Sequence, residues 1–179
     1  MKSSVSYWQA VGFIFTSILG TFLHFLFDLT GGNIFAALFS AVNESIWEHM
    51  KLLFYPMFLF ALIEYRFWGK DWEQFWCIKL LGILSGLLLI PVLYYTYTGI
   101  FGISADWLNI TIFFLTAGVT FYLETKCLSR NCPYPINETV SLGLLLFIAT
   151  LFTALTFYPP HIPFFRDPVT GTYGFFKTT

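Results

Sequence analysis

Charge is what this sequence has least of. Asp, Glu, Lys and Arg together supply 11% of its 179 residues, where a soluble domain carries about 25%. A water-facing surface cannot be built from so few charges, so lipid is expected to be the main solvent. The net charge of −1 gives no basic footprint for nucleic acid. Cysteine is also scarce. Cys77, Cys127 and Cys132 form no C-x-x-C pair, free thiols are expected, and Cys127 with Cys132 lacks further ligands for a metal. The zinc-hydrolase signature H-E-x-x-H is absent. No A-x-A-like cleavage site follows the first apolar run, which is therefore expected to remain as a transmembrane helix and not to leave as a signal peptide.

What is present is apolar. Hydrophobic residues make up 57% and aromatics 22% of the chain. Phe tolerates lipid, while Trp and Tyr favour its interface. A span needs about 20 apolar residues. Such windows fall at about 7–29, 33–65, 75–97, 105–123 and 138–158. The expected fold class is all-α, a polytopic transmembrane bundle of about five spans within one domain, residues 1–158. Pro91 is expected to kink the third span. Pro159 and Pro160 stop the fifth, and a tail over 159–179, rich in Pro, Gly and aromatics, is expected to fold back as an external lid.

Basic residues set the orientation. Lys2, Arg66, Lys70, Lys126 and Arg130 fall on one side, while the turns at 30–33 and 99–104 carry no Lys or Arg. Arg166 and Lys177 in the tail oppose the trend and are outnumbered. The expectation is a multi-pass plasma-membrane protein with a cytoplasmic N-terminus and an external C-terminus. The second window is too long for one span. A straight helix over 33–65 would measure roughly 50 Å at 1.5 Å per residue, against a hydrocarbon core of about 30 Å. A break near 41–43 is expected, with a short re-entrant or interfacial helix before it.

Polar residues concentrate around that break. His24 and Asp28 share a face of the first helix at i, i+4. Glu44, Glu48, Lys51 and Tyr55 follow at spacings that draw one stripe down the second helix, flanked by Asn43 and Trp47, with His49 pointing away from it. The short turn between the two spans makes them neighbours, so a single outward-facing acidic and histidine pocket is expected, with Arg166 reaching it from the tail. Asp28, Glu44 and Glu48 against Lys51 leave about two negative charges, which a low-dielectric site does not tolerate uncompensated. The set His24, Asp28, Glu44 and Glu48, with His49 or His161 in reserve, suits a divalent metal such as zinc. The plainer reading is structural. Glu48 and Lys51 then form an ordinary buried pair, His24 and Asp28 a second, and Glu44 caps a helix start.

The stretches His24-Phe-Leu-Phe-Asp28, Asn43-Glu-Ser-Ile-Trp-Glu-His-Met-Lys51 and Phe165-Arg-Asp-Pro-Val-Thr-Gly-Thr-Tyr-Gly174 resemble a family of small polytopic membrane proteins from Gram-positive bacteria, a family known as a domain of unknown function. The resemblance implies a bacterial plasma membrane and assigns no catalytic residue. Three functions remain open from the residues. The first is binding or transport of a proton, a cation or a cationic small solute, for which five spans suggest a homodimer. The second is an intramembrane enzyme acting on a lipid or peptide at the outer leaflet, with Glu44 or Glu48 as general base and His24 or His49 as partner. The third is a non-catalytic accessory protein holding a lipid or a partner helix.

Overall fold

The second apolar segment breaks, and the break shapes one whole end of the protein. The computed structural model describes residues 2–130 and 136–175. It contains α1 (Lys2–Leu29), α2 (Ile34–Ala37), α3 (Ile46–Phe67), α4 (Phe75–Phe101), α5 (Asp106–Arg130) and α6 (Glu138–Phe157), plus 3-10 turns at Gly69–Asp71 and Pro163–Phe165. Five of these helices, all but α2, are long and apolar enough to cross a membrane. No named strand occurs among the described residues. Cys132 and Lys177 lie outside those residues.

α1 ends as a helix should before a sharp return. Gly31 at φ +66° lets Gly31 N–H reach the Asp28 carbonyl and Gly32 N–H the Phe27 carbonyl. This is the paired glycine closure that satisfies terminal carbonyls. The chain then makes one turn of helix, α2, capped by the Asn33 side chain on the Phe35 N–H. Residues 38–45 are irregular, and α3 starts at Ile46. Ser45 is its N-cap, accepting from the Glu48 N–H, and Asn43 Oδ1 accepts from the Ser45 N–H. The Ser-x-x-Glu spacing is a capping signature, here with a variation. Glu48 reaches past the cap to the Val42 N–H at 3.1 Å.

That carboxylate belongs to a buried knot. Lys51 Nζ lies 2.7 Å from Glu48 Oε2 and also donates to the Ala37 carbonyl and Thr156 Oγ1, each at 2.9 Å. Thr156 Oγ1 in turn donates to Glu48 Oε1 at 2.8 Å. All three side chains are buried. The ammonium therefore has three acceptors and both carboxylate oxygens have donors, the condition under which a buried ion pair is tolerated. The knot ties α2, the break, α3 and α6 together.

The long helices surround a common axis. α1 packs on α3 and α5, and α4 packs on α3 and α5, closing a ring of four. α6 lies outside the ring against α4 and α3. α3 is the most enclosed, with 67% of its apolar window buried, against 22% for α1 and α6. Small residues set the crossings, as is usual where helices meet in lipid. Gly12 leaves room for Phe60 and Phe121, Gly20 for the Leu52 carbonyl and Phe113, and Gly82 and Gly86 for Glu124 and Thr120. The outward faces carry Ile14, Ile18, Phe22, Leu88, Val92 and Phe147, which suit lipid and not water.

Some boundaries move from the sequence expectation. α4 continues without interruption through Pro91 to Phe101. α5 runs to Arg130 and not 123, because Glu124 and Leu128, four residues apart on one face, are both buried against neighbouring helices. The α4 N-terminus receives a carboxylate from across the fold. Glu138 accepts from the Trp76 and Cys77 N–H groups, a favourable place for negative charge.

Breaking one side of the α3 knot should be severe. Removing one partner of a buried pair costs about 3–5 kcal/mol. Lys51→Met is expected to lower the thermal midpoint in detergent sharply, and adding Glu48→Gln should recover part of the loss.

Candidate cation site

A pocket of about 730 Å³ opens at the end of the four-helix ring where α1 and α6 finish. Its walls come from all four ring helices, including Gly20, His24, His49, Leu52, Tyr94 and Phe113, and the tail adds Pro168 and Val169 at the rim. Pro56, inside α3, has no N–H to offer the Leu52 carbonyl one turn back. That carbonyl lies against Gly20, so both helices meet here without an intervening side chain.

Three potential ligands converge in the pocket. His24 comes from α1, Glu44 from the break, and His49 from the first turn of α3. Their ligand atoms all lie within 4.8 Å of one another. His49 Nε2 is 3.4 Å from one Glu44 oxygen, and His24 Nε2 is 4.0 Å from the other. The two imidazole centroids are 5.4 Å apart. His49 Nδ1 is 3.0 Å from the Ser45 carbonyl. A carbonyl only accepts, so Nδ1 is the donor of this bond, and the ring is oriented with Nε2 toward Glu44. Such an outer hydrogen bond is the usual means of orienting a ligating histidine. His24 Nδ1 is buried without a partner.

The remaining expected site residues separate from this trio. Glu48 and Lys51 sit in the knot with Thr156. Tyr55 donates to the Ala149 carbonyl and meets Thr153, joining α3 to α6. Asn43 Nδ2 donates to the Gly174 carbonyl and so holds the tail. Asp28 is exposed and is not part of the pocket wall. Arg166 is exposed on the tail, and Pro168 and Val169 reach the pocket in its place. His161 is exposed and packs its ring on Tyr173. The division follows from where α3 starts. A stripe through Glu44 and Glu48 requires both to be helical, and Glu44 lies before the Ser45 cap. On the pocket side, α4, α5 and the connection between them also bring Tyr94, Ser104, Asp106 and Asn109, which sequence reasoning did not gather.

A second polar centre lies deep in the ring near its opposite end. Lys79 of α4 pairs with Glu64 of α3 and with Glu124 of α5 at 2.6 Å. Gln9 of α1 donates to Glu64 Oε1 at 2.7 Å. Exposure is 0% at Glu64, 2% at Lys79 and 1% at Glu124. No periodic stripe within one helix gathers these residues in the sequence. The available signal was Lys79, a lysine one turn inside an otherwise apolar span.

The tail folds back over the pocket end. Asp167 is buried and accepts from the Val169 and Thr170 N–H groups and the Thr170 hydroxyl, which builds a tight turn, and Arg166 bridges Tyr173. Phe164 and Phe165 pack on Trp47, and Phe175 N–H reaches the Thr156 carbonyl. Trp47→Ala should release this tail, since Trp47 is half-buried beneath it and losing even part of the roughly 3–5 kcal/mol that a fully buried large aromatic contributes removes its main anchor. Trypsin cleavage after Arg166 is expected to be slow in the wild type and much faster in the variant.

No curated protein and no solved structure matches the chain. A family described as of unknown function, DUF6512, matches it over residues 1–175. That match covers almost the whole sequence, including every residue of the pocket and of the buried polar centre, and the chain belongs to this family.

Proposed function

We propose that the protein is a multi-pass plasma-membrane protein, N-terminus cytoplasmic, that binds a divalent transition-metal cation in an outward-facing pocket and serves its uptake or transfer. The observation that carries this reading is the convergence of His24, Glu44 and His49 from three separate pieces of chain. Zinc takes imidazole nitrogen and carboxylate oxygen at about 2.0–2.2 Å, which places tetrahedral ligand atoms about 3.3 Å apart. The 3.4 Å His49–Glu44 separation already matches, and the wider members of the trio, which spread to 4.8 Å, have to close by up to about 1.5 Å. Glu44 supplies negative charge, and its partial exposure leaves a path for a hydrated ion. Basic loops at the opposite end support the orientation.

A metal-dependent hydrolase is the second reading, favoured by one feature. Three protein ligands leave a coordination position open, and the wall beside it is apolar, with Phe25, Ile110, Phe113 and Phe114, suited to an acyl chain. Against it, both Glu48 oxygens are already bonded. Asp106 would have to act as the base, since it is the other carboxylate of the wall besides Glu44.

Calorimetric titration of purified protein with zinc tests the metal. One equivalent per chain is expected, with affinity lowered in His49→Ala and Glu44→Gln by more than the roughly 10–100-fold that losing an outer partner costs, and unchanged in Asp28→Asn. Absence of binding in the wild type, or full binding in both pocket variants, would overturn the proposal. Zinc-loaded protein that releases fatty acid from bilayer lipid, with the activity lost in Asp106→Asn, would favour the hydrolase.

A further inference from the structure

The interior of the four-helix ring is largely apolar, yet it holds several buried polar groups that are not fully partnered. At Glu64, Lys79 and Glu124 the charge count is two carboxylates against one ammonium. Among the described residues, the excess of one negative charge meets no further basic partner from the ring helices. α1 contributes neutral Gln9, α3 Glu64, α4 Lys79 and α5 Glu124. Glu124 Oε1 and Gln9 Oε1 are both buried with no hydrogen-bond partner. An unbalanced carboxylate inside apolar protein is costly enough that the group neutralises instead. Gly82 makes the room, since a Cβ there would stand 2.5 Å from Glu124 Oε1.

Between this centre and the pocket stand three buried hydroxyls of an unusual kind. Threonine in a helix normally donates to the carbonyl one turn back. Thr21, Thr111, Thr125 and Thr150 all do so here. Thr16, Thr116 and Thr120, each 0% exposed, do not, and their hydroxyls have no partner. Their placement is regular. On α5, Ile112, Thr116, Thr120 and Glu124 recur every four residues on one face, from the pocket wall to the centre. On α1, Gln9, Thr16, Gly20 and His24 share a face in the same way, and α1 packs against α5. Successive α5 positions are about 6 Å apart along the axis, a gap that one bridging water spans.

We propose that Glu64, Lys79 and Glu124 form an intramembrane proton-binding centre holding one exchangeable proton, connected to the pocket through the hydroxyls of Thr120, Thr116 and Thr16. The proton adds to a carboxylate oxygen, forming one O–H bond. It leaves along the hydroxyl row to water in the pocket, and no electron moves. A proton held at this depth is the natural counter-charge for a cation handled at the pocket. The centre itself does not depend on the metal reading, because its proton is measured with no metal present.

Infrared spectroscopy of the full protein in lipid vesicles tests the centre. At neutral pH the wild type should show the carbonyl stretch of one protonated carboxylic acid. The stretch should vanish in Glu124→Gln and equally in Glu64→Gln, since each leaves a neutral pair with Lys79. Neither variant should lose thermal stability. A wild type without the stretch, a stretch that survives both substitutions, or a variant destabilised as an ordinary triad would be, sinks the proposal. Calorimetric unfolding of the wild type in buffers of different ionisation enthalpy needs no variant and should report release of one proton. No release counts against the centre. The row is tested by Thr120→Val and Thr116→Val, which should keep the stretch and slow its exchange in heavy water several-fold. Unchanged exchange would remove the row from the proposal.

Discussion

The pocket exists because a lysine and a glutamate one turn apart are held inside the start of α3. Their mutual charge cancels, but cancellation alone would not keep them buried. The Ala37 carbonyl, the Val42 N–H and the Thr156 hydroxyl complete their hydrogen bonds. Two of those partners are backbone groups, one at the end of α2 and one in the irregular stretch before α3, which would otherwise have to find water. Non-helical chain at membrane depth survives only where protein satisfies it. The ion pair and the irregular backbone therefore stabilise each other. Glu44 is left outside the helix as a result, free to face His24 and His49.

The two ends of the ring solve the problem of buried charge in different ways. In the Glu48–Lys51–Thr156 knot the ammonium and both carboxylate oxygens are matched, and the group reads as architecture. At Lys79 the count is uneven and two acceptors have no partner, and the surrounding glycines give space and not hydrogen bonds. A fully matched network locks a structure, whereas an unmatched one retains capacity for a further ligand. This contrast distinguishes the two clusters more clearly than residue type does.

Much of this architecture is legible in the sequence. The windows of apolar residues locate all five long helices, and the excess length of 33–65 forecasts the break. The convergence of His24 with Glu44 also follows from the short turn after α1. What the sequence conceals is phase. A shift of the helix start from Asn43 to Ser45 moves Glu44 off the stripe and makes His49, which helical phase had aimed elsewhere, its partner. Arg166 had the right charge for the pocket, but Asp167 closes the tail into a turn that leaves it exposed. The Lys79 centre gathers side chains from four helices separated widely in sequence, and no periodicity within one helix reports such a meeting. Only the oddity of a lysine in α4 pointed to it.

The placement of charged partners along the chain also bears on how the polypeptide enters the bilayer during synthesis. Glu48 and Lys51 lie in the same helix, so α3 can leave the translocation machinery with the charge near its start already cancelled. Glu64 and Lys79 lie in consecutive helices joined by a short connection, and they neutralise one another once that hairpin closes. Glu124 arrives only with α5, after the pair is formed, and Thr156 last of all with α6. Each segment thus meets a partner already waiting in the lipid, and the uneven charge count arises only when the fourth ring helix joins.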